Sequence, residues 1–418
     1  MKKVSTVFIG IIILLIGCSD DNPTNPGANV NEKALKITFS NNYCEAEGWV
    51  IVYTEDGLTV IDTAKFLGNA TVDFGELAQD RITLTFITTT LSSSNKSYMI
   101  QTYHSVKKGE WKIKGYSESA AKGKIDVRYS FPLNNYNLFL MSYGGTYNDA
   151  GLNNDTLSSL HFPTFDVYNI NSDNSLSLYS SIYNMNDGIG FYNWSPKLSF
   201  TLNDTNTYNI AVNKPLTLSQ IQFNKEVENL IISANTTASS DRVTLFHNYD
   251  SQPLTTQKIF LPDDINATSY NIYASNYYNS KLYTYEKSVN SLPNNLVIPN
   301  TVVSATHNNS NNSIENISVN GTIDFIMAIW SLFNSNNRDF IWISYTPNDY
   351  TSIVRPQLPT SIVSQIGNFN PDLMNLYYLM IEENDKFTSF DDLINYYYKS
   401  TVPLSNTFNE HYSYAIVF

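Results

Sequence analysis

Along most of the chain apolar and polar residues alternate in short runs broken by turn-forming residues. In "RITLTFI" (81–87), Ile82, Leu84 and Phe86 fall on one face while Thr83 and Thr85 fall on the other. That period of two marks a β-strand and predicts one buried face and one wet face. Comparable runs follow one another at about the 8–12-residue spacing of sandwiches. They include "ALKITF" (34–39), "GWVIVYT" (48–54), "LTVIDTA" (58–64), "ATVDF" (70–74), "SYMIQTYHSV" (97–106) and "EWKIKGY" (110–116). Glu55-Asp56-Gly57 and Lys107-Lys108-Gly109 place a glycine where a tight hairpin needs positive φ. Residues 34–118 therefore read as one antiparallel two-layer sandwich.

The same pattern continues through a second β-domain at 122–214, a third at 215–300 and a β-rich C-terminal domain at 301–418. Asn- and Asp-rich stretches such as "GTYNDAGLNNDT" (145–156) read as loops between strands. One short helix is expected in "TSFDDLINYYYKS" (388–400). Ser389 is placed to cap it, Asp391 and Asp392 to occupy its first turn, and Lys399 to stand near its end. The fold class is all-β: tandem antiparallel β-sandwich domains behind an N-terminal leader and a flexible tether.

Composition sharpens this picture. Charged residues make up only 15%, aromatics 14%, with 30 Tyr and 22 Phe, so neutral polar groups carry much of the surface. A net charge of −13 excludes nucleic acid as a partner, because phosphate binding requires clustered Lys and Arg. Of the two cysteines, Cys18 sits at the end of the leader and Cys44 in the first β-domain.

The leader itself has Lys2 and Lys3 before an apolar stretch at 7–16, too short for the roughly 20 residues of a spanning helix. Its last residues, Leu15-Ile16-Gly17-Cys18, resemble the lipobox of bacterial lipoproteins. The resemblance implies a signal peptide at 1–17, lipid attached to the Cys18 sulfur, and a lipidated tether at 18–33. Ser19-Asp20-Asp21 is similar to the short acidic tag of surface-displayed lipoproteins. It implies an outer-membrane anchor facing the cell surface, with a periplasm-facing anchor as the alternative. The stretch "EGWVIVYTEDGLTVIDTAKFLGNATVDFGEL" (47–77) resembles the carboxypeptidase-regulatory-like or immunoglobulin-like sandwiches of secreted bacterial proteins. Such domains are usually supports rather than sites of chemistry.

No catalytic constellation is visible. His104, His161, His247, His307 and His411 lack metal-ligand spacing, and there is neither a nucleophile elbow nor a phosphate loop. Asp263-Asp264, Glu382-Glu383 and Asp391-Asp392 are adjacent in sequence, so on a strand they point to opposite faces and read as solvated charges. Oxygen-rich loops at 170–177 and 184–190 read as turns first and calcium sites second. No cofactor or metal is expected. The aromatic clusters suggest ligand stacking, with Tyr277, Tyr278, Tyr397 and Tyr398 as candidates. The sequence thus points to a non-enzymatic lipoprotein that binds, adheres or assembles, its partners being the membrane through Cys18 and a glycan or protein ligand. A surface hydrolase with non-local acids and an accessory subunit of an outer-membrane transporter are the alternatives.

Overall fold

The computed structural model of the protein describes residues 34–40, 43–44, 47–91, 96–115, 120–237, 239, 242–333, 338–367, 369–399 and 409–418. The leader, Cys18 and the tether lie outside the described residues. In chain order the strands are β1 (Ala34–Ser40), β2 (Glu47–Tyr53), β3 (Val60–Leu67), β4 (Ala70–Glu76), β5 (Arg81–Leu91), β6 (Lys96–Lys107), β7 (Gly109–Lys114), β8 (Gly123–Tyr143), β9 (Thr146–Val167), β10 (Ser175–Asn184), β11 (Ile189–Ser199) and β12 (Thr205–Ala211). They continue as β13 (Lys214–Pro215), β14 (Thr217–Thr236), β15 (Val243–Leu261), β16 (Ala267–Tyr278), β17 (Lys281–Val289), β18 (Asn295–Leu296), β19 (Val302–Asn308), β20 (Ser313–Asn320), β21 (Phe325–Leu332), β22 (Arg338–Pro347), β23 (Asn375–Asn384) and β24 (Glu410–Val417). Among the described residues two short α-helices interrupt them, α1 (Thr360–Gln365) and α2 (Phe390–Ile394).

The molecule is all-β and multi-sheet. A large open sheet runs β15-β14-β16-β17-β24-β23-β21-β22-β6-β5-β2-β3, with β18 paired to β14. A smaller sheet, β4-β1-β7, lies over part of it, and β12-β8-β10-β11-β13, with β9 on β8, forms a sheet of its own. Pairing is mostly antiparallel, but β1–β7, β8–β12, β14–β18 and β6–β22 are parallel. Through the β6–β22 and β17–β24 ladders, strands from segments 34–118, 215–300 and 301–418 belong to one sheet. Among the described residues no helix is long and apolar enough to cross a membrane.

The centre of the large sheet is buried on both faces, which explains why "FIMAIW" in β21 reads as an unbroken apolar run. Phe325, Met327 and Ile329 enter one core with Val50, Leu84 and Tyr103. Ile326, Ala328 and Trp330 enter the other with Ile51, Trp342 and Leu379. The first core is closed by Leu35, Ile37, Phe39, Trp111 and Ile113 of the small sheet and by Phe390, Leu393 and Ile394 of α2. This overlay gives residues 34–114 immunoglobulin-like sandwich character. The second core is closed by Val303, Ile314 and Ile317 of the β19–β20 hairpin and by Ile353, Ile362, Ile366 and Phe369. Burying one such side chain contributes about 1.5–3 kcal/mol.

Two expectations are corrected. The "wet" face of "RITLTFI" is buried: Thr83 and Thr85 are fully covered, the Thr85 and Thr102 hydroxyls lie 2.9 Å apart, and Thr102 Oγ1 accepts from Trp342 Nε1 at 3.0 Å. Threonine tolerates this because each hydroxyl finds a partner. The Asn-rich 145–156 stretch is not a loop: from Thr146 on it is part of β9, which pairs with β8 from Tyr143↔Thr146 to Gly123↔Val167. Long-range ladder formation outweighs the local turn preference of its Asn and Asp residues.

Candidate functional site

At one end of the large sheet, where β2, β6 and β22 finish and β5 and β21 begin, loops leave a groove in two lobes that share Asn348, Asp349 and Tyr350. The lobe of about 790 Å³ is lined by Thr54, Glu55, Asp56, Arg81, Ser105 and Asp391, among others. The other, of about 630 Å³, is lined by Thr322, Asp324, Glu383, Asn384, Phe387 and Thr388, among others.

Each wall of the larger lobe has a local cause. The β2–β3 turn folds because Gly57 takes φ +74° and Asp56 Oδ1 accepts from Thr54 Oγ1 and from the Leu58 N–H. Those two bonds hold the Asp56 carboxyl below its ordinary pKa. Opposite it, the β5–β6 register shifts between Ile82 and Leu84, so that His104 and Ser105 bulge against a single residue. Ser105 adopts φ +49°, a conformation L-residues rarely take, and its Oγ donates to Glu55 Oε1 at 2.5 Å. Arg81 donates to the Ser105 carbonyl and forks onto Asp391 at 2.5 and 3.2 Å. Burial alone would raise the Asp391 carboxyl, but Arg81 and Lys107 together hold it below its ordinary value. Burial raises the Tyr350 hydroxyl, and the neighbouring Glu55 charge adds to that.

Beneath the bulge, His104 is buried and its ring stands 6.0 Å from that of Tyr350. Burial lowers its imidazole to about 4, so the ring is neutral at physiological pH. Its Nε2 finds no hydrogen-bond partner among the described residues. The second lobe is walled by Asp324, whose Oδ2 accepts from the Asn384 N–H and Nδ2 at 2.8 and 2.9 Å, and by Glu383, which accepts from Thr322 and Thr301. Removal from water raises the Asp324 carboxyl to about 6, and Glu383 and Glu382 push the same way. No group of three or more His, Cys, Asp or Glu among the described residues could hold a metal ion. The arrangement offers fixed acceptors, a few hydroxyl and amide donors, and the aromatic rings of Tyr350, Phe387 and Phe390.

The candidate tyrosines lie elsewhere. Tyr277 and Tyr278 are 52% and 62% exposed at the tip of the β16–β17 hairpin, whose turn residues Asn279 and Ser280 both take positive φ. As neighbours on a strand they face opposite sides of the sheet, at the end remote from the groove. Tyr397 and Tyr398 belong to a π-helical turn after α2. Tyr398 stacks on Trp111 at 5.5 Å and shares a 2.5 Å hydroxyl contact with Tyr103, while Tyr397 packs toward Phe387. Both therefore serve the core. Cys18 lies outside the described residues.

The adjacent acid pairs are engaged rather than merely solvated. Asp264 meets Lys214 and Tyr192, Glu382 meets His411, and Asp392 accepts from Thr388. Of the groove residues, the sequence flagged Glu55, Asp56 and Ser389 only as turn or helix-start signals, and Asp391 and Glu383 as members of adjacent acid pairs read as solvated charges. Arg81, Ser105, Asp349 and Tyr350 carried no signal, because a register shift leaves no mark in residue types.

No family model matches the chain, and no curated protein matches it in sequence. Among solved structures, a proposed cell adhesion protein from Parabacteroides distasonis is similar at 8% identity and a TM-score of 0.11, over 65% of this chain and 77% of the other. The TIE protein of Bacillus anthracis is similar at 8% identity and a TM-score of 0.14, over 86% and 70%. Scores this low leave fold and function to be argued from the chain itself.

Proposed function

We propose that the protein is a lipoprotein of the outer membrane, anchored through lipid on Cys18 and displayed at the cell surface, which binds a glycan in the groove at the end of its large sheet. The observation that supports this reading is the groove of about 790 Å³ in which Glu55, Asp56 and Ser105 are fixed by hydrogen bonds beside Tyr350. Carboxylates and amides match the paired hydroxyls of a sugar ring, and a tyrosine ring offers the flat apolar face on which it rests. A protein loop rich in hydroxyl and amine groups is the other ligand this surface suits.

Screening a glycan array with the soluble fragment beginning at Ala34 tests the reading. Binding to a defined glycan set, lost on combining Asp349→Asn with Tyr350→Ala, is the expected result; no binding, or binding that ignores the double substitution, contradicts it. The anchor is tested separately. Cys18→Ser should move the protein from the membrane to the soluble fraction, and unchanged retention contradicts lipidation.

A surface hydrolase is the second reading. It is favoured by Asp324, whose carboxyl is raised to about 6 in the lobe that also holds Glu383 and Asp349. Release of product from a bound glycan, abolished by Asp324→Asn, would replace the binding reading with this one.

A further inference from the structure

We propose that Asp324, Glu382 and His411 form a pH-sensitive latch that holds the bend at Asn384 and, through it, the Phe387 and Thr388 wall of the groove.

Beyond Asn384, the last residue of β23, the chain has no regular secondary structure until α2. Asp324 Oδ2 takes both the main-chain and side-chain N–H of Asn384, and Asn384 Oδ1 in turn accepts from the Lys386 and Phe387 N–H groups at 2.9 and 3.0 Å. The chain then runs through Phe387 and Thr388, which line the groove, to Ser389, whose side chain accepts the Asp392 N–H and starts α2. One carboxylate thus sets the path of a whole groove wall.

That carboxylate is crowded by its own sign. Glu382 and Glu383 face Asp324 from β23, and His411 faces it from β24, its Nε2 3.3 Å from Glu382. His411 is also faced by Glu286 of β17, whose charge is shared with Arg242. Tyr345 and Tyr397 face Glu382 without neutralising it, and Asp385, the next residue of the bend, is occupied by the Asn409 and Glu410 N–H groups.

At pH 5 Asp324 is protonated and neutral, while His411 is charged beside Glu382. Its ring titrates above the ordinary value because Glu382, Glu286 and Asp324 outweigh the opposing effect of burial. At pH 8 the Asp324 proton is gone, and its charge joins those of Glu382 and Glu383 beside His411. Like charges then push against the bond network that defines the bend. The latch is closed in mild acid and loosened in mild base, with or without ligand, so its failure would not touch the binding reading.

Hydrogen exchange of the full chain, corrected for intrinsic rates and read on peptides spanning 384–399, tests it. Protection is expected to fall about tenfold between pH 5 and pH 8 there, with no comparable change in β10. Asp324→Asn, which keeps an acceptor for Asn384 but no titrating charge, should flatten most of that fall; His411→Gln should shift its midpoint. Equal protection at both pH values in the unaltered protein overturns the proposal, as does a full pH response in both variants.

Discussion

Asp324 is only 6% exposed yet carries a carboxyl, and the cost of charging it there is a statement about stability. Its folded pKa of about 6 lies above the ordinary 3.8, so the folded state holds this proton more tightly. The associated stability is complete below about pH 4 and is lost as pH rises through 6. His411, also raised, adds stability that is lost at higher pH, through its own folded value. Buried His104, held down to about 4, contributes in the opposite sense between pH 4 and 6.5, so the Asp324 contribution is read in urea unfolding as the difference in pH slope between the unaltered protein and Asp324→Asn. Asp324→Asn should remove a fall of about 1.4 kcal/mol between pH 5 and pH 7.5, the part of the shift from 3.8 to about 6 that lies in this range, and an unchanged slope would count against the assignment. A second residue-scale test concerns Thr102, whose hydroxyl accepts from Trp342 Nε1 inside the sheet. Thr102→Val preserves shape but orphans a buried N–H, and should cost about 1–3 kcal/mol in the same assay.

Among the elements, β7 shows most plainly how the small sheet is held. Trp111 is fully buried against Phe86, Tyr103 and Tyr398, with Lys399 Nζ 5.3 Å above its ring. Trp111→Ala should cost about 3–5 kcal/mol and release both the small sheet and the turn carrying Tyr398, seen as faster exchange in β1 and at 395–399. Most elements were legible because a strand's period survives in its residue types: β1, β2, β5, β6 and β7 fall where alternation placed them, and Ser389 caps α2 as its position suggested. What failed was whatever depended on partners. The Asn-rich half of β9 gave no strand signal because its order comes from pairing with β8, and the Thr face of β5 looked wet because nothing in its sequence announces that β19, β20 and α1 cover that side. The groove was hidden for the same reason: its residues come from four separate turns and a bulge.

For the molecule as a whole, the consequence of the shared sheet is cooperativity. β6 lies between β5 and β22, which are more than two hundred residues apart in sequence. Cutting the chain after residue 118 would bare the β6 edge and half of the core that β21 and β22 complete. The isolated 34–118 fragment is expected to aggregate or to lack a cooperative melting transition, whereas the chain from Ala34 to Phe418 should show one; a well-folded monomeric fragment would contradict this. The same geometry separates the two surfaces a ligand could use, since the groove and the Tyr277–Tyr278 hairpin sit at opposite ends of the sheet. The most direct test is a comparison of glycan affinity across three proteins: unaltered, Asp349→Asn with Tyr350→Ala, and Tyr277→Ala with Tyr278→Ala. Recognition in the groove predicts at least about a tenfold loss for the first pair and little change for the second; loss confined to the hairpin pair would contradict it.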